Sequence, residues 1–298
     1  MNGAMRPGGL LSRQQGQEVR QQTTRPEAHA GPPPITDAEF ARFQRFIFDA
    51  AGITLGNAKK PLVTGRLGKR LAAHQLARFG DYLELITSGQ HPEEHQLAID
   101  LLTTNETYFF RESKHFDSLR EHALTTRKPG RSYRVWSAAS STGEEAYGIA
   151  MVLAETLGEA PWEVLGTDIS LRVLQDAVRG VYTMERARHL PPELMRRYCL
   201  KGTDEHDGRL MISRQLRDRV SFGQVNLDQP LPELGRFDFV FLRNVMIYFN
   251  DDTKRQVVSR VVSTIQPGGC LCVGHSESLH GLTDALQSLG PALYRRPS

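Results

Sequence analysis

RVWSAASSTGEEAYGIAMVLAETLGEAPWEVLGTDIS, running from Arg134 to Ser170, is the stretch whose reading decides the fold. Val135 and Trp136 open a short apolar strand, and Ser137 to Gly143 make a turn of small residues. A helix follows, with Ile149, Val152 and Leu153 at helical spacing. Val164 and Leu165 then begin a second strand, which ends in Asp168. Strand, small-residue turn, helix, strand, acid is the order in which a doubly wound α/β sheet grips a nucleoside. The acid suits a ribose, because a carboxylate accepts hydrogen bonds from a sugar diol.

The turn also bears on which nucleoside is bound. A dinucleotide site calls for G-x-G-x-x-G and a bare helix N-terminus to receive pyrophosphate. Here Gly143 stands alone, and Glu144 and Glu145 occupy the first helical turn. Two carboxylates there repel a phosphate, which argues against NAD. They either complement the helix dipole or face a cationic ligand. S-adenosylmethionine is such a ligand, with a sulfonium, an ammonium and no phosphate.

Working outward, 298 residues allow about two domains, and 39% hydrophobic with 24% charged residues is ordinary for a soluble protein. No apolar run approaches the ~20 residues of a membrane span, and the N-terminal arginines precede no apolar stretch of a secretory signal. A cytoplasmic enzyme without membrane insertion is the expectation. Cys199, Cys270 and Cys272 form no disulfide framework, and CLCVG reads as a buried strand. No clustered cysteines or histidines complete a metal site. A net charge of +3 is too small to imply nucleic acid. The basic residues are nevertheless concentrated: Lys59, Lys60, Arg66, Lys69, Arg70 and Arg78 lie between Ala50 and Gly80 with no acid among them. Arg66, Lys69 and Arg70 share one face if the segment is helical. That face is either solvated surface or a dock for an acidic partner.

Residues 1 to 34 are rich in Gln, Gly, Arg and Pro and read as a disordered tail. Order begins with the capping-box pattern Thr36-Asp37-Ala38-Glu39, and residues 35 to 104 read as a small helical domain broken at glycines and prolines. Residues 105 to 132 are a linker and connecting helix. From 133 to 298 strands at 134–138, 163–167, 219–224, 237–242 and 269–274 alternate with helices, implying a mainly parallel sheet. The interruption at 182 to 217 is an insertion, either a substrate or partner module or decoration.

Three further segments carry polar residues to the same place. TTNETYFFRE (Thr103 to Glu112) lies at the domain junction, Val225-Asn226-Leu227 follows the third sheet strand, and FDFVFLRNVMIYF delivers Arg243 and Asn244 at a strand's C-terminal edge. Ligands of open α/β sheets bind outside that edge, so Asp168, Asn226, Arg243 and Asn244 are expected to converge there. Singly, each polar residue has a structural explanation, such as a cap or an ion pair.

TTNETYFFRE, VWSAASSTGEEAY, GTDIS, VNL, FLRNVMIYF and PGGCLCVGHSES together closely resemble the chemotaxis receptor methyltransferases of the CheR type, from about Ile35 to Arg296. The resemblance implies a Rossmann-like S-adenosylmethionine-dependent methyltransferase domain of α/β class, a small N-terminal helical domain and an inserted antiparallel β-subdomain. It implies methylation of glutamate side chains on the cytoplasmic domains of chemoreceptors, giving glutamyl methyl esters and S-adenosylhomocysteine. Matched position by position, the cofactor contacts it implies are Asn105, Thr107, Arg111, Glu145, Asp168, Asn226, Leu227 and Asn244, with Arg243 beside them. The family's receptor-touching basic helix maps to Arg66, Lys69 and Arg70. Some members hold a receptor C-terminal pentapeptide on the β-subdomain, and the glycine-flanked loop Gly202 to Gly208 resembles that subgroup. A monomer is expected.

The reaction asks little acid–base chemistry of the protein. A glutamate with a pKa of ~4.3 is already ionised at neutral pH, so no general base is needed. Alignment of oxygen, carbon and sulfur is the main requirement. Arg111 is expected to orient the acceptor carboxylate or the cofactor, and Tyr248 to shape the transfer pocket. Two rivals are a nucleic-acid methyltransferase, for which no Asn-Pro-Pro-Tyr-like motif or Pro-Cys nucleophile is present, and a non-catalytic nucleoside sensor. GHSES lacks the second glycine of a nucleophile elbow, and SSTGEE lacks the Gly-Lys-Ser/Thr of a P-loop.

Overall fold

The computed structural model describes residues 33–298, so the expected tail over residues 1 to 34 falls outside it except at its last two positions. Helix α1 (Asp37–Ala51) starts at the capping box: Glu39 N–H donates to Thr36 Oγ1 at 3.2 Å, and Thr36 N–H donates to Glu39 Oε2 at 2.9 Å. Gly52 ends it at φ 68°, a left-handed C-cap that glycine adopts without a Cβ penalty. Helices α2 (Lys60–Ala73), α3 (Phe79–Thr87) and α4 (Pro92–Leu102) follow. Their apolar faces meet in Phe43, Ile47, Leu67, Leu71 and Tyr82. The same cluster continues through Trp136, Val240 and Leu242, so the helices and the sheet share one contiguous core.

After α5 (Lys114–Thr126) the chain alternates: β1 (Tyr133–Ser137), α6 (Glu144–Leu157), β2 (Trp162–Asp168) and α7 (Leu171–Arg179). An inserted segment then contributes β3 (Val181–Thr183), α8 (Pro192–Tyr198), β4 (Cys199–Lys201) and β5 (Arg209–Ile212), and α9 (Arg214–Arg217) leads back to the sheet. β3, β5 and β4 pair antiparallel in that order, with β4 at one edge. The main chain of the fold resumes with β6 (Val220–Gln224), β7 (Phe237–Leu242), α10 (Asp251–Ser263), β8 (Ile265–Val273), β9 (Gln287–Gly290) and β10 (Leu293–Arg295).

The main sheet has the order β6-β2-β1-β7-β8-β10-β9. β6 through β8 are parallel, and β10 and β9 add an antiparallel edge. The chain runs outward from β1 to β2 and β6, then returns to place β7 on the other side of β1. The β1/β7 boundary is therefore the topological switch point, where such sheets bind ligands. β7 is buried along its whole length, as expected of a central parallel strand covered on both faces.

Two features differ from the sequence reading. β8 begins at Ile265 rather than 269, so Pro267-Gly268-Gly269 lies inside the strand, and its pairing with β7 shifts register between Phe237 and Phe239. β9 and β10 are short, β10 pairing with β8 and β9 only with β10, so their own residues carry little periodic signal.

Candidate active site

The small-residue turn after β1 is shaped by close approach. Gly143 has φ 93°, and a Cβ there would lie 2.9 Å from both the Ala177 Cβ and the Tyr182 hydroxyl. Ser141, at φ 49°, aims its N–H at Asp168 Oδ2 (2.9 Å) and its hydroxyl at the Asn105 carbonyl (2.9 Å). One serine thus joins the turn, the acid ending β2 and the TTNETYFFRE segment. Asp168 Oδ1 accepts from Ser170 N–H at 3.0 Å. Burial holds the Asp168 carboxyl above its usual range, partly offset by the Ser170, Ser141 and Ile169 N–H groups.

These elements bound an open cavity of about 910 Å3, its mouth included. Asn105, Thr107, Arg111, Glu145, Asp168, Asn226, Leu227, Arg243, Asn244 and Tyr248 all line it. The tertiary structure therefore brings together every candidate cofactor and catalytic residue at the switch point. Burial raises the pKa of the Tyr248 hydroxyl, with the Glu106 charge adding to the effect.

Several of these side chains are already committed to internal partners. The Arg243 side chain is 2% exposed; it bonds Glu145 Oε2 at 2.7 Å, Glu112 Oε2 at 3.0 Å and the Arg111 carbonyl. It forms the floor of the cavity, and its charge serves two carboxylates and a loop. Asn226 donates to the Ala50 carbonyl at 2.8 Å and accepts from Asp228 N–H at 3.0 Å, so its amide ties β6 to α1. Of the paired glutamates, only Glu145 faces the cavity. Glu144 is fully buried and pairs with Arg186 at 2.7 Å, with burial raising its pKa against the Thr142 and Arg186 contacts.

Three residues that the sequence reading left without a role organise the site. Glu112 accepts from Arg243, from Asn244 Nδ2 (3.3 Å) and from His275 N–H (3.2 Å). Burial opposes its ionisation, but the Arg243 hydrogen bond and charge outweigh burial and keep its carboxyl below the usual range. Glu277, from GHSES, accepts from the N–H groups of Asn244 (2.8 Å), Gly274 (2.7 Å) and Ile247 (3.3 Å), which fixes the turn after β7. Ser141 is the third. Glu112 and Glu277 sit within quoted motifs, but Arg243, which binds Glu112, and Asn244, which binds Glu277, lie 131 and 33 residues away, beyond any local pattern. Phe110, Glu112, Ser141 and Asn244 all have φ between 49° and 57°. Left-handed backbone at non-glycine residues costs about 1–3 kcal/mol each, and its concentration here marks a site whose geometry is held by its surroundings.

Glu112, His115 and His275 place ligand-type atoms within 4.8 Å of one another. The Arg243 guanidinium bonded to that carboxylate repels a cation there. His115 is buried with neither ring nitrogen hydrogen-bonded, and burial, then Arg243, pushes its pKa down to about 4.

The basic face of α2 also has internal partners. Arg66 Nη1 donates to the carbonyls of Leu101 (3.1 Å) and Thr103 (2.7 Å), holding the start of the TTNETYFFRE segment. Arg70 binds buried Glu94 through Nε (2.8 Å) and Nη2 (2.6 Å). Burial opposes ionisation of Glu94, but bonds from Arg70, Tyr82 and His74 bring its pKa to about 2. Lys69 is the exposed member of the three.

A buried acid with spare acceptor capacity, a turn without a phosphate cradle and a carboxylate at the helix start suit a nucleoside that carries positive charge and no phosphate. With the sheet order, they define an S-adenosylmethionine-dependent methyltransferase. Residues 38–103 match the CheR methyltransferase all-alpha domain, and residues 105–294 match the CheR methyltransferase SAM binding domain. The chain is 43% identical over 265 residues to the chemotaxis protein methyltransferase of Escherichia coli, covering 87% of this chain and 91% of that protein. It is 41% identical over 263 residues to that of Salmonella typhimurium, covering 87% and 90%. Chemotaxis protein methyltransferase 2 of Pseudomonas aeruginosa is 37% identical over 262 residues, covering 87% and 93%. This chain belongs to the CheR methyltransferase family, and its cofactor is S-adenosylmethionine.

Proposed function

We propose that this protein methylates glutamate side chains on the cytoplasmic domains of chemoreceptors, forming glutamyl methyl esters in sensory adaptation. The observation that carries the reading is the presence of Arg111 and Tyr248 in the same cavity as Asp168 and Glu145. An acceptor that is already anionic needs a cation to orient it and no base, and Arg111 supplies that cation at the cavity rim. Arg111 is half-buried, donates to the Glu106 carbonyl at 3.0 Å and lies 5.9 Å from the Tyr108 ring centroid. Its hold on the acceptor is therefore shared with other partners. That matters because firm ground-state binding of a nucleophile slows its attack.

When bound, S-adenosylmethionine supplies an electrophilic methyl group on a sulfonium. Asp168 would hold the ribose hydroxyls, while Ile169, Val225 and Leu227 give the base an apolar wall. Asn105, Thr107, Glu145 and Asn244 would complete the polar contacts, with Asn226 and Arg243 fixing the walls behind them. Tyr248 would shape the transfer pocket. No residue has to move a proton, and alignment is the protein's main contribution.

Two partner surfaces accompany this reading. Lys69 on α2 would meet the acidic receptor surface, with Arg66 and Arg70 holding the helix that presents it. The outer edge of β4 would take a receptor C-terminal pentapeptide by strand addition, since an edge strand offers unpaired backbone groups. A cytoplasmic monomer fits both surfaces, and no helix among the described residues is long and apolar enough to cross a membrane.

The test is incubation with methyl-labelled cofactor and receptor cytoplasmic fragments. Base-labile label on the receptor is expected, and Arg111→Ala should lower turnover by at least about tenfold without unfolding. Label that resists base, or an Arg111→Ala enzyme with unchanged kinetics, would overturn the assignment.

A further inference from the structure

The acid that ends β2 is followed at once by α7, and the start of that helix is capped from a distant part of the chain. Ser170, the residue before α7, accepts from Val173 N–H only at 3.5 Å, which is long for a hydrogen bond. The first two N–H groups of α7 go instead to Asp100 on α4. Leu171 N–H donates to Asp100 Oδ1 at 3.1 Å, and Arg172 N–H donates to Oδ2 at 3.3 Å. Asp100 is 4% exposed, so a buried carboxylate stands at the positive end of the helix dipole. Gln96, one turn earlier on α4, donates to Asp100 Oδ1 at 2.8 Å and to the Ile169 carbonyl at 3.1 Å. Gln224, at the end of β6, donates to the same carbonyl at 3.0 Å and to Gln96 Oε1 at 2.9 Å.

Ile169 and Ser170 are the two residues that join Asp168 to α7. Ser170 N–H helps to orient the Asp168 carboxylate, and Ile169 lines the cofactor cavity. Ser141 holds Asp168 from the β1 side, whereas α4 holds the backbone that leaves it. No α4 residue lines the cavity itself. Asp100 also acts through its charge: it adds to burial in raising the Asp168 pKa. The two effects have opposite consequences. Losing the cap loosens the turn and weakens ligand binding, while losing the charge relieves repulsion and strengthens it.

We infer that Asp100 is a positioning residue of the cofactor site, which by capping α7 sets the turn that presents Asp168 to the ribose. This rests on Asp168 as the ribose acceptor and extends its support into the helical domain. The cap dominates the repulsion, because two N–H groups at a buried helix start have no other acceptor.

The test titrates S-adenosylhomocysteine, and an analogue whose ribose lacks both hydroxyls, into the full chain by calorimetry. Asp100→Ala should raise the Kd of S-adenosylhomocysteine about tenfold, and Asp100→Asn, which keeps one acceptor oxygen, about threefold. Neither substitution should change the Kd of the analogue by more than about twofold, since it has no diol for Asp168 to hold. Glu94→Gln, at the other buried acid of α4, should lower the urea midpoint and leave both affinities within that range. Unchanged affinity in Asp100→Ala, equal losses for the two ligands, tighter binding by Asp100→Asn, or a loss in Glu94→Gln that matches Asp100→Ala overturns the inference. Wild type that binds the two ligands equally would instead overturn Asp168 as the ribose acceptor.

Discussion

Arg243→Ala would remove the cation that two nearly buried carboxylates share. The Glu145 and Glu112 side chains are 13% and 14% exposed, and Arg243 bonds them at 2.7 and 3.0 Å while also holding the Arg111 carbonyl. Breaking a buried pair by deleting one partner costs about 3–5 kcal/mol, because the remaining charge is left in a poorly solvating place. That is a large share of the ~5–15 kcal/mol stability of a typical protein. Urea unfolding should show a lower midpoint at nearly constant m-value. Adding Glu145→Gln should recover about 1–2 kcal/mol, since one of the stranded charges is gone. Cofactor affinity should fall in Arg243→Ala, as both walls that it ties together loosen. A stability change within about 0.5 kcal/mol, or strict additivity of the two substitutions, would refute the view of Arg243 as the floor of the site.

Asp168→Asn should weaken cofactor binding by about 10- to 100-fold in calorimetry, because hydrogen bonds to a charged acceptor contribute about 1.5–3 kcal/mol. His115 binds its proton less readily folded (about 4) than unfolded (~6.5), so the unfolded state takes up protons first as pH falls. Its contribution is present above about pH 6.5 and is lost between there and about pH 4, by up to about 3 kcal/mol; in His115→Gln, urea midpoints should depend less on pH across that window. On α2, Lys69→Glu should raise the receptor KM about threefold and leave stability unchanged. Arg70→Ala should instead destabilise the fold by about 2–4 kcal/mol by stranding Glu94, which separates docking from architecture by thermal unfolding.

The capping box, the α/β alternation and the acid ending β2 were legible in the sequence because each depends on neighbours within a few residues. Helical spacing, a small-residue turn and an apolar strand are local patterns, and the quoted motifs located the residues that line the cavity. The partners of those residues were not legible. Glu144 and Glu145 are adjacent in sequence and equal in charge, yet the helix points one at Arg186 and the other at Arg243. Arg66 and Arg70 read as a basic surface, yet α4 supplies each with a partner more than 20 residues away, the Leu101 carbonyl and Glu94. Glu277 lies in a motif that bore on the family resemblance and on hydrolysis but gave this residue no role, and its carboxylate secures the turn carrying Asn244.

The sequence by itself determined the fold class and the cofactor, and it nominated residues that the fold gathers around one cavity. The tertiary structure decided which of those side chains remain free to meet a ligand and which are used by the protein. The reason is physical: charge and hydrogen-bonding capacity belong to the residue type. Whether that capacity is already satisfied depends on contacts across tens to hundreds of residues.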